Sequence, residues 1–144
     1  MEKDTILNKT LFTIEKQQVI NLKDLLAVEK VNLLLFYNTD CLGCTGRAIP
    51  FAYELMKSHP DKLNLIVVHV DFGRDIDETA ILDIFRSKQS PFPIYRDQKA
   101  QLYNAFKCEG TPHWLVLNDD AEISHSIFGS QENAQLRLHY ILEE

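Results

Sequence analysis

Val31-Asn32-Leu33-Leu34-Leu35-Phe36-Tyr37-Asn38-Thr39-Asp40-Cys41-Leu42-Gly43-Cys44 is the stretch from which the architecture follows. Its first seven residues form a nearly continuous apolar run without alternation, the pattern of a strand covered on both faces. Asn38-Thr39-Asp40 closes that run with residues suited to a turn. Beyond it, Ile49, Ala52, Tyr53 and Met56 recur at i, i+3, i+4 and i+7, and Ala48, Phe51 and Leu55 widen the stripe, so residues 44–58 read as a largely buried helix. Leu63 to Val70 is a second apolar run. Strand, helix and strand within about 40 residues imply a right-handed βαβ crossover with parallel strands, and the fold class is α/β.

Outward from this unit the patterns are shorter. Leu11 to Ile14 and Val19-Ile20 flank Glu15-Lys16-Gln17-Gln18 and read as a small N-terminal hairpin, with one helical turn over Asn21 to Leu26. Asp75 with Glu78 resembles a capping box ahead of Ile76, Ala80, Ile81, Ile84 and Phe85, which share a helical face. Pro91 and Pro93 restrict Ile94-Tyr95 to a short or edge strand, and Lys99 to Phe106 has a weak helical pattern. His113 to Leu117 and Glu122 to Phe128 flank Asn118-Asp119-Asp120-Ala121 as an antiparallel hairpin. Ser130 is placed to cap a last helix striped by Ala134, Leu138, Ile141 and Leu142.

A chain of 144 residues fits one domain, residues 1–144. With 45% hydrophobic and 25% charged residues it has material for a packed core, which excludes disordered and fibrous classes. No apolar run approaches the ~20 residues of a membrane span, so no membrane partner is expected. Fifteen Lys+Arg against 21 Asp+Glu, scattered rather than striped, argue against a nucleic-acid partner. The N-terminus Met1-Glu2-Lys3-Asp4-Thr5-Ile6 lacks an apolar signal segment, so the expected location is the cytoplasm, or the periplasm if a signal has been removed.

Cys41 and Cys44 fall where the first buried strand ends and the buried helix begins. Unpaired backbone N–H groups and the positive helix end there favour thiolate over thiol at the first sulfur. Two intervening residues place the second sulfur one turn away, within reach of a mixed disulfide formed by the first. Cys41 is therefore the expected nucleophile and Cys44 the resolving thiol. Gly110-Thr111-Pro112 precedes the late hairpin, where a proline begins a strand without breaking a ladder. Read alone, its X-Pro bond is an ordinary trans turn.

A Cys-x-x-Cys at the first βα junction, with Gly-Thr-Pro opening a late hairpin and a final helix, resembles the thioredoxin-like family. The N-terminal hairpin at Leu11 to Ile20 and the excursion at Asp75 to Phe106 resemble its thiol-disulfide reductase branch, related to cytochrome-maturation and peroxiredoxin-type proteins. The resemblance implies a three-layer α/β/α sandwich around a mixed sheet, with the hairpin and the excursion added. It also implies a cis Pro112, with Thr111 facing the disulfide and offering backbone hydrogen bonds to a partner chain.

Several positions depart from that pattern. Asp40 stands where the family has an aromatic residue, and a carboxylate there either opposes thiolate formation or helps cap the helix. Leu35 occupies the position of the usual buried acid, and Glu109 is a candidate substitute beside its reading as a solvated loop charge. Pro50 follows Cys44 by six residues where the family has five, which predicts a local bulge that Gly46 would absorb. Asn38 stands where peroxiredoxins carry Thr or Ser to bind peroxide, which argues against peroxidase activity. Arg47 reads either as a thiolate-stabilising cation or as a solvated helix arginine.

The reading is a thiol-disulfide oxidoreductase in which Cys41 and Cys44 are catalytic and Thr111 and Pro112 bind substrate. Its partners would be protein thiols and disulfides and an upstream electron donor, and no organic cofactor or metal is implied. Two alternatives stand beside it. One is a thioredoxin-fold binding module in which Cys41 and Cys44, alone or with Cys108 or His113, hold a soft metal such as Cu(I). The other is a non-catalytic interaction scaffold. Cys108 is otherwise a buried thiol, His69 a core residue with a hydrogen-bond partner, His113 a satisfied hairpin histidine and Trp114 core packing.

Overall fold

The structure, a computed structural model, describes residues 2–14 and 18–143. Glu15-Lys16-Gln17, most of the turn expected in the first hairpin, lies outside the described residues. The central run is strand β3 (Val31–Tyr37), and the second run is β4 (Leu63–Val70), paired with it in parallel from Val31↔Leu63 to Tyr37↔His69. The absence of alternation has the cause inferred from it. Leu33, Leu35 and Tyr37 enter one apolar core, and Leu34 and Phe36 enter another on the opposite face of the sheet.

Helix α2 (Ile49–Ser58) connects these strands, and the five residues before it, Cys44–Ala48, form a π-helical turn. This is the bulge predicted from the spacing of Pro50, which is the second residue of α2 and follows the π turn directly. A π turn takes up one extra residue without ending the helix.

Among the described residues seven strands lie in the order β2-β1-β5-β4-β3-β6-β7. The hairpin is β1 (Thr10–Thr13) with β2 (Val19–Asn21), antiparallel, preceded by helix α1 (Glu2–Leu7) and followed by a 3₁₀ turn at Leu22–Asp24. Strand β5 (Ile94–Asp97) is not an edge strand. It pairs in parallel with β4 on one side and antiparallel with β1 on the other, because Pro91 and Pro93 precede the paired residues and leave their N–H groups free to donate. Strands β6 (His113–Leu117) and β7 (Ile123–Phe128) form the late hairpin, with a register break between Val116 and Leu117.

The excursion contributes helix α3 (Glu78–Leu82), shorter than the periodicity predicts. Asp77, extended and without a side-chain capping bond, precedes its first turn, so the Asp75 capping box does not form. Ile76, Ile84 and Phe85 still pack on the core from flanking turns. Helix α4 (Gln101–Ala105) packs on the other face, and α5 (Glu132–Glu143) closes the chain. Ile81 of α3 and Ala134, Leu138 and Leu142 of α5 share a core with α2, while Leu102 of α4 and Leu22 lie in the opposite one. Helices on both faces of one mixed sheet are the expected three layers. No helix among the described residues is long and apolar enough to cross a membrane.

Candidate active site

Beyond Tyr37 the chain leaves the sheet through a turn whose backbone donors are taken one by one. Asn38 is buried, and its Nδ2 donates to the Val70 carbonyl at 2.8 Å, tying the turn to the end of β4. Its Oδ1 accepts the Asp40 N–H at 2.7 Å and its carbonyl accepts the Cys41 N–H at 3.1 Å. The Thr39 N–H donates to Nε2 of His69 at 3.3 Å. With the N–H groups of Thr39, Asp40 and Cys41 all accepted, the turn holds the first cysteine in one place.

Cys41 and Cys44 are joined as a disulfide, with Cα atoms 5.2 Å apart. Cys41 is half-buried and Cys44 fully buried, so the first sulfur is the one a partner can reach. The Cys44 N–H points at the Cys41 sulfur, 3.2 Å away, and the Thr45 N–H donates to the Cys41 carbonyl. Such a donor at a helix start stabilises negative charge on the sulfur when the bond is open.

The other two expected residues are brought to the same place. The Thr111 carbonyl oxygen lies 3.4 Å from the Cys41 sulfur, and the Thr111–Pro112 peptide is cis. Pro112 packs over Gly43, where an added Cβ would stand 3.9 Å from its Cδ. The Pro112 carbonyl accepts the Gly129 N–H at 2.9 Å. Ser130 does not cap α5. It is buried, and its hydroxyl donates to the Gly43 carbonyl at 3.0 Å, pinning the loop between the cysteines from the far end of the late hairpin. A serine before a helix reads locally as a cap, and nothing in its neighbours signals a partner 87 positions away.

Asp40 is exposed and pairs with Arg74 at 2.7 Å, so its carboxylate beside Cys41 is offset by a guanidinium. With both side chains about two-thirds exposed, at 63% and 66%, the pair is screened and weak. Leu35 is buried in an apolar core. Glu109 is exposed, and its charge is felt at His113, where it opposes the burial that pushes the imidazolium down. Arg47 is exposed on the π turn.

Cys108 belongs with the opposite core, and the sheet separates it from the disulfide. It is not a third thiol of this site. Nε2 of His113 is 2.7 Å from the Ser126 hydroxyl, and its buried Nδ1 has no partner among the described residues. Trp114 packs in the core as expected, with its indole N–H on the Gly129 carbonyl. Among the described residues no group of three His, Cys, Asp or Glu side chains is gathered to hold a metal ion, and neither Cys108 nor His113 joins Cys41 and Cys44 in one.

Beneath the turn lies a buried polar cluster that the sequence reading missed beyond His69 itself. Nδ1 of His69 is 2.5 Å from Oδ1 of Asp71, and Oδ2 of Asp71 accepts Nε and Nη2 of Arg96 at 3.1 and 2.9 Å. All three are essentially inaccessible to solvent. Arg96 also donates to the carbonyls of Ile14 and Ile76, fastening the hairpin and the excursion to the sheet. The ring of Tyr37 stands edge-on to His69 at 5.1 Å, its hydroxyl buried without a partner among the described residues and its pKa pushed up by burial. The available signal was His69 and Asp71 closing an apolar run, since buried polar groups require partners.

The AhpC/TSA family matches residues 4–142. No curated protein matches the chain. Among solved structures it is similar to dsbF of Mycobacterium tuberculosis in mixed oxidised and reduced forms, at 16% identity and a TM-score of 0.74 over 99% of this chain and 96% of that one. It is also similar to a secreted M. tuberculosis disulfide oxidoreductase homologous to E. coli DsbE, at 15% identity and a TM-score of 0.71 over 97% and 98%. A thioredoxin-like protein in its oxidised form is 25% identical over 84% of this chain and 83% of its own, with a TM-score of 0.69. These likenesses show the thioredoxin-like fold.

Proposed function

Because the chain belongs to the AhpC/TSA family, we propose that it is a thiol-disulfide oxidoreductase acting on protein disulfides through Cys41 and Cys44. The observation that carries this is the disulfide itself, seated at a helix start with one sulfur accessible and the other buried. In the reduced protein the Cys41 thiolate attacks one sulfur of a partner disulfide, forming a mixed disulfide and releasing the partner's other sulfur as a thiolate. Cys44 gives up its proton and attacks the Cys41 sulfur, closing the internal disulfide and releasing the partner's second thiolate. The partner gains two electrons and the pair loses two, which an upstream dithiol donor restores.

Thr111 and Pro112 shape the groove for the partner's extended backbone, and the Thr111 carbonyl beside the reacting sulfur supports that role. Leu42, 85% exposed between the cysteines, and Phe128, exposed beside Gly110, offer apolar contact around the exchange point. Peroxide reduction is not supported, since the amide of Asn38 is spent on two backbone bonds.

The test is a titration in defined dithiol/disulfide buffers, following thiol alkylation by mass in wild type and Cys41→Ser. A single two-electron transition joining Cys41 to Cys44, lost in the variant, is expected. If no such disulfide forms at any accessible potential, disulfide exchange is not the function.

A further inference from the structure

The buried cluster under the turn has no part in the exchange chemistry above, yet it touches the turn that carries Cys41. Both guanidinium donors to Asp71 fall on Oδ2, which leaves Oδ1 to accept from His69. Nδ1 of His69 therefore carries a proton, and Nε2 presents the lone pair that the Thr39 N–H needs. Three carbonyl and carboxylate acceptors on Arg96 fix the far end of the chain.

We propose that His69 is a positioning residue for Cys41. Oriented by Asp71 and Arg96, its Nε2 holds the Thr39 N–H and so sets the turn that places the Cys41 sulfur against the Cys44 N–H. The inference rests on the reading of Cys41 and Cys44 as a redox pair. The Cys44 N–H, 3.2 Å from the Cys41 sulfur, stabilises a thiolate more than a disulfide sulfur, because a hydrogen bond to a charged acceptor is the stronger one. Loosening the turn therefore costs the reduced protein more than the oxidised one and shifts the couple toward disulfide.

Two substitutions separate the two nitrogens. His69→Gln keeps a polar atom near the Nε2 position, whereas His69→Asn keeps one near Nδ1 and loses the reach to Thr39. Loss of one net hydrogen bond predicts that His69→Asn shifts the equilibrium with glutathione about fivefold toward the disulfide, which at ~30 mV per tenfold is about 20 mV more negative. His69→Gln stays near wild type. A wild-type midpoint in His69→Asn, or equal shifts in both variants, overturns the proposal while leaving the exchange reading intact. Absence of a Cys41–Cys44 transition in wild type overturns both. Should neither variant fold, long-range ¹H–¹⁵N spectra of the wild-type ring decide: a proton on Nδ1 with Nε2 as acceptor supports the assignment, and a protonated Nε2 refutes it.

Discussion

Cys108 packs half-buried against Tyr103's side of the sheet, and burial, reinforced by the charge of Asp97, pushes its thiol up to about 12. In the unfolded chain the same thiol ionises near 9. Between those values the unfolded chain gives up a proton that the folded chain keeps, so the stability this thiol contributes is complete below pH 9 and drains away as pH rises through that interval. The advantage of wild type over Cys108→Ala, read as the difference in urea midpoints, should be constant below pH 9 and shrink above it. A gap that stays constant to pH 11 would show that the thiol is not held protonated by its surroundings. Of the candidate site, Cys41 and Cys44 were legible because cysteine is rare and their spacing is local, whereas Thr111-Pro112 was placed beside them only by the family resemblance. His69, Asp71 and Arg96 were not legible, since Arg96 lies 25 positions from Asp71 and meets it only through the parallel pairing of β4 with β5. Ser130 was misread for the same reason, its role being set by an approach that folding alone creates.

Among the elements, the segment leading into β6 depends on Gly110. Its φ of +154° lies where side chains are rarely tolerated, and an added Cβ would meet Phe128 Cε1 at 2.8 Å. The phenyl ring is exposed and can turn aside, so the backbone cost remains. Gly110→Ala is expected to lower stability by about 1–3 kcal/mol and to slow disulfide exchange by displacing Thr111 from the Cys41 sulfur. Denaturant midpoints and exchange rates with a model disulfide measure the two effects, and an unchanged value of both would contradict the geometry. At this scale the long elements were read correctly from their patterns, including the bulge ahead of α2, which needed only the count from Cys44 to Pro50. Among the short ones, the first hairpin, the turn at Leu22–Asp24 and α4 fell where expected, while the bounds of α3 and the place of β5 did not follow from the sequence. Helix α3 has five residues, too few for periodicity to mark its ends. The inner place of β5 depended on where the N-terminal hairpin docks, and that choice is made by tertiary pairing.

The whole molecule is organised as two apolar cores separated by one sheet, with Leu55 in the first and Leu102 in the second. Side chains that share no neighbours contribute independently, so Leu55→Ala and Leu102→Ala should each cost about 2–5 kcal/mol, and the double variant should equal their sum within about 0.5 kcal/mol. Urea unfolding of the four proteins closes that cycle, and a larger coupling would mean that the sheet transmits strain between its faces. The α/β class followed from β3 and β4 with the helix between them, and the three layers were what the family resemblance implied. Placement of the hairpin is what no local pattern supplied, and it decides which strand lies at that edge of the sheet. By lying against β5 it leaves the three-residue β2 as the outermost strand on that side, with Val19–Asn21 offering too few free backbone groups to template another chain. The N-terminal hairpin thus completes the pairing of β5, which would otherwise be the outer strand, and turns a parallel strand of four residues into an interior one.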